Sequence, residues 1–229
     1  MSARKLDAAD RVKPPVRILL VDDHPLTREG LAEVLQRESG LCVCGEAADR
    51  QEALETIPVA KPDLVIVDLA LKESDGLELI KDMRAQFPKI LVLVVSMQDE
   101  LLYAERALRA GAAGFVSKEE AAVSVVQAVR HLLCGEVYIS QRVASQMAAR
   151  IAGHPRAKSL PALDSLTDRE LQVFQLIGDG LSRQQIAQSL HLDVNTVETY
   201  RLRIREKLQL KNALELRQYA IRASRGCLS

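Results

Sequence analysis

Aromatic side chains are scarce, making up 3% of the 229 residues with no tryptophan, so the stacking platforms that grip single-stranded nucleic acid have almost nothing to be built from. No apolar run approaches the roughly 18–20 residues of a membrane span; the longest, Ile90 to Val95, has the length of a strand. Residues 1–15 are polar, carry Arg4, Lys5, Arg11 and Lys13 and contain no apolar stretch, which fits a flexible leader and not a signal peptide. A cytoplasmic protein with no membrane contact is therefore expected. The four cysteines, Cys42, Cys44, Cys134 and Cys227, show neither C-x-x-C spacing nor a histidine at zinc-ligand spacing. They read as buried thiols in a reducing compartment.

Net charge is also lacking, but the zero conceals an asymmetry. Residues 1–140 carry 17 Lys and Arg against 23 Asp and Glu, whereas residues 141–229 carry 14 against 8. The acidic first half suits cation chemistry and the basic second half suits a polyanion such as DNA. The length suits two compact domains.

The first half alternates short β-branched runs with amphipathic stretches. Strands are expected at Arg17–Val21, Leu41–Glu46, Leu64–Val67, Ile90–Val95 and Phe115–Val116. Helices are expected at Leu26–Arg37, Gln51–Ile57, Gly76–Gln86, Leu101–Ala110 and Ala121–Leu133. This is a (βα)5 pattern, an α/β class chain whose right-handed crossovers give a doubly wound parallel sheet with its reactive edge at the carboxyl ends of the strands. After Gly135 the pattern changes. Ser140–Ile151 reads as one more helix, Gly153-His154-Pro155 breaks it, and the polar stretch to Pro161 reads as a linker. A small all-α domain follows, with helices at Thr167–Ile177, Ser182–Leu190, Asn195–Leu208 and Ala213–Ala223, the third capped by Asp193 or Asn195.

Asp22 and Asp23 follow the first strand and Asp68 ends the third, so the topology gathers three carboxylates at one edge. Like charges packed together need a cation, and hard oxygen ligands with room for phosphate oxygens suit Mg2+. Ser96 ends the fourth strand and Lys118 follows the fifth, adding a hydroxyl and an ammonium that can grip phosphoryl oxygens. A carboxylate in line with a phosphoryl donor can act as nucleophile. Asp68, between a fully apolar strand and the loop from Leu69 to Asp75, is the candidate. Taken singly, Asp23 could cap a helix, Ser96 could cap the next, and Lys118 could be a solvated loop charge; five such residues at four strand ends argue for a site. His24 reads as a surface residue.

The segments LLVDDHP, VIVDLAL, LVVSM and GFVSK, in this order and spacing, resemble the receiver domain of bacterial two-component response regulators. That resemblance implies that Asp22 and Asp23 hold Mg2+ together with Asp68 and the backbone carbonyl of Ala70. It also implies that Asp68 accepts phosphate from a sensor histidine kinase, that Ser96 is the switch hydroxyl and Phe115 the switch aromatic, and that Lys118 binds the phosphate. Lys72 stands where many receivers have proline, and Phe115 lacks the hydroxyl of tyrosine.

In LSRQQIAQSLHLDVNTVETYRLRIREKL, Ile186, Ala187 and Leu190 give one helix an apolar face, and Val197, Ile204 and Leu208 give the next its own. Arg201, Arg203, Arg205 and Lys207 fall mostly away from that stripe, where they can reach phosphates and guanine edges in a major groove. The stretch from Ser165 to Leu216 resembles the LuxR-type DNA-binding domain, and a receiver in front of it gives the NarL/FixJ-type arrangement. The resemblance implies base contacts from Glu198, Thr199, Leu202 and Arg203, and backbone contacts from Thr196, Arg201, Arg205 and Lys207. Glu198 replaces a frequent lysine and Tyr200 a frequent histidine.

The boundaries expected are a flexible leader over 1–15, a receiver domain over 16–134, a part-helical linker over 135–163 and a helix-turn-helix domain over 164–229. The function expected is a phosphorylation-controlled transcriptional regulator, a switch and not an enzyme, that binds double-stranded DNA as a homodimer when phosphorylated. In the last helix Leu214, Leu216, Ala220 and Ile221 are candidates for the dimer surface or the core. The rival reading is a Mg2+-dependent phosphatase or phosphotransferase using Asp68; such hydrolases usually carry a second Asp where this chain has Ala70. A protein-binding adaptor is a third.

Overall fold

A computed structural model describes residues 14–71, 75–152, 163, 165–190 and 192–224. The expected leader up to residue 13, Lys72, the helix break at Gly153-His154-Pro155 with the linker to residue 162, Asp164 and Cys227 lie outside the described residues.

Five parallel strands, β1 (Val16–Val21), β2 (Leu41–Ala47), β3 (Leu64–Val67), β4 (Leu91–Ser96) and β5 (Gly114–Ser117), form one sheet in the order β2-β1-β3-β4-β5. Helices α1 (Pro25–Gln36), α2 (Arg50–Ala60), α3 (Gly76–Gln86), α4 (Glu100–Ala110) and α5 (Ala121–Leu133) connect and follow them. The period-two alternation of each strand sends its side chains into two cores. Leu19, Val21, Val65, Val67, Val92 and Val94 meet Ile57, Leu77, Ile80, Met83, Tyr103 and Ala107 on the face of α2, α3 and α4. Ile18, Leu20, Leu64, Ile66, Leu93 and Val95 meet Leu31, Leu35, Val125, Val129 and Leu132 on the face of α1 and α5. With both faces covered, β3 is buried at every position, as parallel strands of doubly wound sheets are.

The expected elements all occur, with ends shifted by a residue or two, and three details differ. Helix α2 was expected to stop at Ile57, before Pro58, yet it runs through Pro58 to Ala60 and closes on Lys61 in the left-handed region at φ 45°. Proline there costs one backbone bond in the last turn only, while Ile57 and Ala60 gain burial against the sheet. The competing readings of Asp23 and Ser96 as helix caps are not met: His24 precedes Pro25 at the start of α1, and Asp99 accepts from Leu101 N–H at the start of α4. The cysteines are less buried than expected. Cys42 and Cys44 are half-buried on the edge strand β2, and Cys134 is exposed because it terminates α5 where that helix leaves the sheet.

Beyond the sheet come α6 (Gln141–Ile151) and then α7 (Asp168–Gly178), α8 (Arg183–Ser189), α9 (Val194–Lys207) and α10 (Ala213–Ser224). Thr167 and Ser182 close reciprocal capping boxes with Glu170 and Gln185, and Asp193 caps α9. The α2–α3–α4 core continues without a break into Leu163, Leu166, Leu171 and Phe174 of the helical half. In α10, Leu216 and Ala220 are fully buried, so they serve this core and not a dimer surface, while Leu214 is exposed.

Candidate functional site

Asp22, Asp68, Ser96 and Lys118 are brought together because each stands where a parallel strand runs out of sheet. Asp22 and Asp68 are 3% exposed and Ser96 is fully buried. The Lys118 ammonium lies 2.5 Å from Asp68 Oδ2 and 2.6 Å from Asp22 Oδ2. Ser96 Oγ donates to Asp68 Oδ1 at 2.7 Å, and the Ala70 N–H donates to the same oxygen at 3.2 Å. Burial alone would pull the Lys118 ammonium down, but Asp68 and Asp22 outweigh it and hold its pKa above the usual lysine value.

Asp23 completes the cluster. A ligand atom from each of Asp22, Asp23, His24 and Asp68 falls within 4.8 Å of the others. Three carboxylates face a single ammonium, leaving an excess of negative charge in a poorly solvated place. Asp23 Oδ1 is buried without a hydrogen-bond partner, with His24 Nδ1 2.7 Å away. An uncompensated buried carboxylate oxygen beside two others fits a hard divalent cation. His24 is exposed, as expected of a surface residue, yet its ring lies over Asp23, which the sequence did not indicate.

Several supports of the site had no signal in the sequence. Arg28 donates to the Asp22 carbonyl and pairs with Glu46 at 3.1 Å, tying α1 to the cluster. A Cβ on Gly76 would fall 2.3 Å from the Asp68 carbonyl oxygen, so only glycine lets α3 start this close under Asp68. Phe115, in β5, is 3% exposed and belongs to the same core cluster as Tyr103 and Ala104.

The second constellation is a surface. Val197 and Ile204 anchor α9 in the helical core, which turns Glu198, Thr199, Leu202 and Arg203 to solvent and leaves Thr196, Arg201 and Arg205 half-exposed beside them. Glu198 Oε2 stands 3.5 Å from Arg183 and 3.6 Å from Arg201. Thr199 Oγ1 donates to the Asn195 carbonyl at 3.0 Å. Lys207 differs from the rest, because its ammonium is 2.6 Å from Glu170, which is 2% exposed. Burial would raise the Glu170 carboxyl, but Lys207 and the Thr167 N–H pull it below the usual range.

Comparison with known proteins agrees with both constellations. The family "Response regulator receiver domain" matches residues 18–130, and "Bacterial regulatory proteins, luxR family" matches residues 164–220. The chain is 39% identical to the transcriptional activator protein ExaE of Pseudomonas putida over 207 residues, covering 90% of this chain and 96% of that one. It is 36% identical to the response regulator GacA of Pseudomonas syringae pv. syringae, with the same coverage. The chain belongs to the two-component response regulators with a LuxR-type DNA-binding domain. As such a regulator it couples a receiver to a DNA-binding output, and the reading as a free-standing phosphatase is not favoured.

Among solved structures, a LuxR-family two-component response regulator from Aurantimonas sp. SI85-9A1 is 34% identical with TM-score 0.57, covering 60% of this chain and 99% of that one. RcsB from Salmonella enterica serovar Typhimurium, solved on the P1flhDC promoter with BeF3-, is 24% identical with TM-score 0.62 over 90% of this chain and 98% of that one, a likeness of fold. No helix among the described residues is long and apolar enough to cross a membrane.

Proposed function

We propose that Asp68 is the phosphoacceptor and that Asp22, Asp23, Asp68 and the Ala70 carbonyl hold Mg2+ beside it. A carboxylate oxygen of Asp68 attacks the phosphorus of a phosphohistidine on a sensor histidine kinase. The P–O bond to Asp68 forms as the P–N bond breaks, and the imidazole leaves and takes up a proton. Bound Mg2+ would offset charge on the phosphoryl oxygens. Lys118, already on Asp68 Oδ2, turns to a phosphoryl oxygen. Ser96, already donating to Asp68 Oδ1, donates to another, and the shift of its backbone is passed to Phe115 and α4 as the switch. The observation that carries this reading is the convergence of Lys118 and Ser96 on the two oxygens of one buried aspartate.

In the output domain, Glu198, Thr199, Leu202 and Arg203 face base edges, and Thr196, Arg201 and Arg205 face phosphates. Lys207, held by Glu170, contributes chiefly by placing α9. Two copies bind double-stranded DNA together when phosphorylated. The test is mass spectrometry of the full chain treated with acetyl phosphate and Mg2+, followed by selection of DNA sites. One added phosphoryl group, absent in Asp68→Asn, with tighter DNA binding by the labelled form, is the expected result. Repeated turnover of the phosphate donor, or equal labelling of Asp68→Asn, overturns the assignment.

A further inference from the structure

One carboxylate of the output domain is held by two cations of the receiver. Asp168, the first residue of α7, accepts from Arg106 of α4 at 2.9 Å through Oδ1 and from Lys81 of α3 at 3.1 Å through Oδ2. Arg106 also donates to the carbonyls of Leu166 at 2.9 Å and Leu163 at 2.6 Å. One guanidinium thus holds three acceptors, all on the segment that leads into α7. Its side chain is 14% exposed and that of Asp168 is 19% exposed, so this is a partly desolvated contact and not a loose surface pair. Leu163 and Leu166 are buried in the shared apolar cluster beneath it.

Two of the chain segments that leave the phosphoacceptor site lead here. One runs from Asp68 along its loop to Asp75, the cap of α3, which lines a single cleft of about 590 Å3 with Lys81, Arg106 and Asp168. The other runs from Ser96 at the end of β4 to Asp99, the cap of α4, two turns before Arg106. Any movement of either element on phosphorylation therefore acts on the Asp168 contact.

The surface that stays open in this arrangement is as informative as the one that is closed. Glu198, Thr199, Leu202 and Arg203 on α9 are exposed while the contact is made. The receiver does not cover the DNA-facing side.

We infer that Arg106, Lys81 and Asp168 form a latch that fixes the direction in which the receiver presents its DNA-binding domain, and that the latch limits pairing on two half-sites without blocking a single half-site. The inference rests on the proposed phosphorylation-controlled dimeric binding and deepens it. In a chain with the latch closed, one output domain binds its half-site freely, but the second cannot be placed at the required spacing. Opening the latch restores cooperative occupancy.

The test uses the full unphosphorylated chain, with DNA carrying either the complete selected operator or one half of it. Asp168→Asn removes the charge and keeps a side chain that α7 tolerates at its first position, and Arg106→Ala attacks the same contact from the receiver. Both variants should bind the complete operator more tightly by roughly 5–100-fold, the range of ordinary allosteric coupling, while half-site affinity stays within about twofold of the parent. Labelling of Asp68 by acetyl phosphate reports that each variant's receiver is folded. An equal gain on half-site and operator overturns the orientation mechanism in favour of masking, and folded variants that bind both DNAs like the parent overturn the latch. A parent whose operator binding ignores phosphorylation defeats the functional reading itself, a distinct result.

Discussion

The acidic edge of the sheet and the outward face of α9 hold charged groups in opposite physical settings. At the edge, Asp22, Asp68 and Lys118 have side chains 9% exposed or less and satisfy one another at 2.5–2.6 Å. On α9, Glu198 is half-exposed and its arginines stand at 3.5 and 3.6 Å. Buried ionic groups lock a geometry because removing one strands the others, whereas exposed groups are interchangeable until a ligand arrives. The contrast suits the two tasks proposed: phosphoryl transfer requires atoms fixed in advance, and groove recognition requires side chains free to exchange their partners for phosphates and bases.

Substitutions that separate the two regimes test the comparison. The largest effect is expected at Lys118→Ala, which strands Asp22 and Asp68: urea unfolding without Mg2+ should show a loss of about 3–5 kcal/mol, partly recovered when Mg2+ is added. An unchanged midpoint would mean that the edge behaves like a surface.

Asp75 is next. Burial pushes its carboxyl up to about 6, reinforced by Asp168 and Glu78 and opposed by the Leu77 N–H and Arg169. A carboxyl raised above its unfolded value binds more protons in the folded state. Its favourable contribution is whole below about pH 4 and lost as pH rises through about 6. Asp75→Asn, which keeps a capping oxygen, should remove that slope and leave the protein more stable above pH 6 by up to about 3 kcal/mol, read from denaturation at several pH values. A variant as pH-dependent as the parent would place the titration elsewhere.

Lys207 and Arg205 draw the line within one helix. Lys207→Ala leaves the buried Glu170 carboxylate with the Thr167 N–H but no cation, so it should cost about 1–3 kcal/mol of stability. Its effect on the salt dependence of DNA binding should be small. Arg205→Ala should leave stability within about 0.5 kcal/mol and reduce the slope of log affinity against log salt by about one. Reversed results for the two would exchange their roles. The smallest stability effect, under about 0.5 kcal/mol, is expected for Glu198→Gln. That variant should nonetheless change the base selected at one operator position, because a carboxylate accepts from cytosine N4 whereas an amide pairs with adenine; an unchanged selected sequence would remove Glu198 from the reading surface.

Much of the fold was legible because it follows from local pattern. The runs Leu64–Val67 and Leu91–Val95 are continuous apolar strands, and an aspartate or serine directly after such a run has to sit at the strand end. Asp22, Asp68 and Ser96 could be placed together on that ground alone. The helix-turn-helix was legible because Val197 and Ile204 mark the buried stripe and Asp193 the cap. Arg106 and Asp168 were not, since a basic residue on an amphipathic helix and an acidic one in a first helical turn both read as solvated until the two domains are docked. The pairing of Lys207 with Glu170 was not legible either, because the two stand 37 positions apart in the chain. The run of α2 through Pro58 escaped the pattern for a related reason: the burial that offsets the lost bond comes from strands elsewhere in the chain.

Element order, the two faces of the sheet and the membership of the acidic cluster follow from local pattern, because alternation, strand ends and caps are properties of neighbouring residues. Tertiary structure alone decided which charges neutralise which: Lys118 on two aspartates, Lys207 on Glu170, and Arg106 on Asp168 and the carbonyls beside it. Ion pairing depends on distance and on the water excluded around it, and both are set only when segments remote in the chain pack against one another.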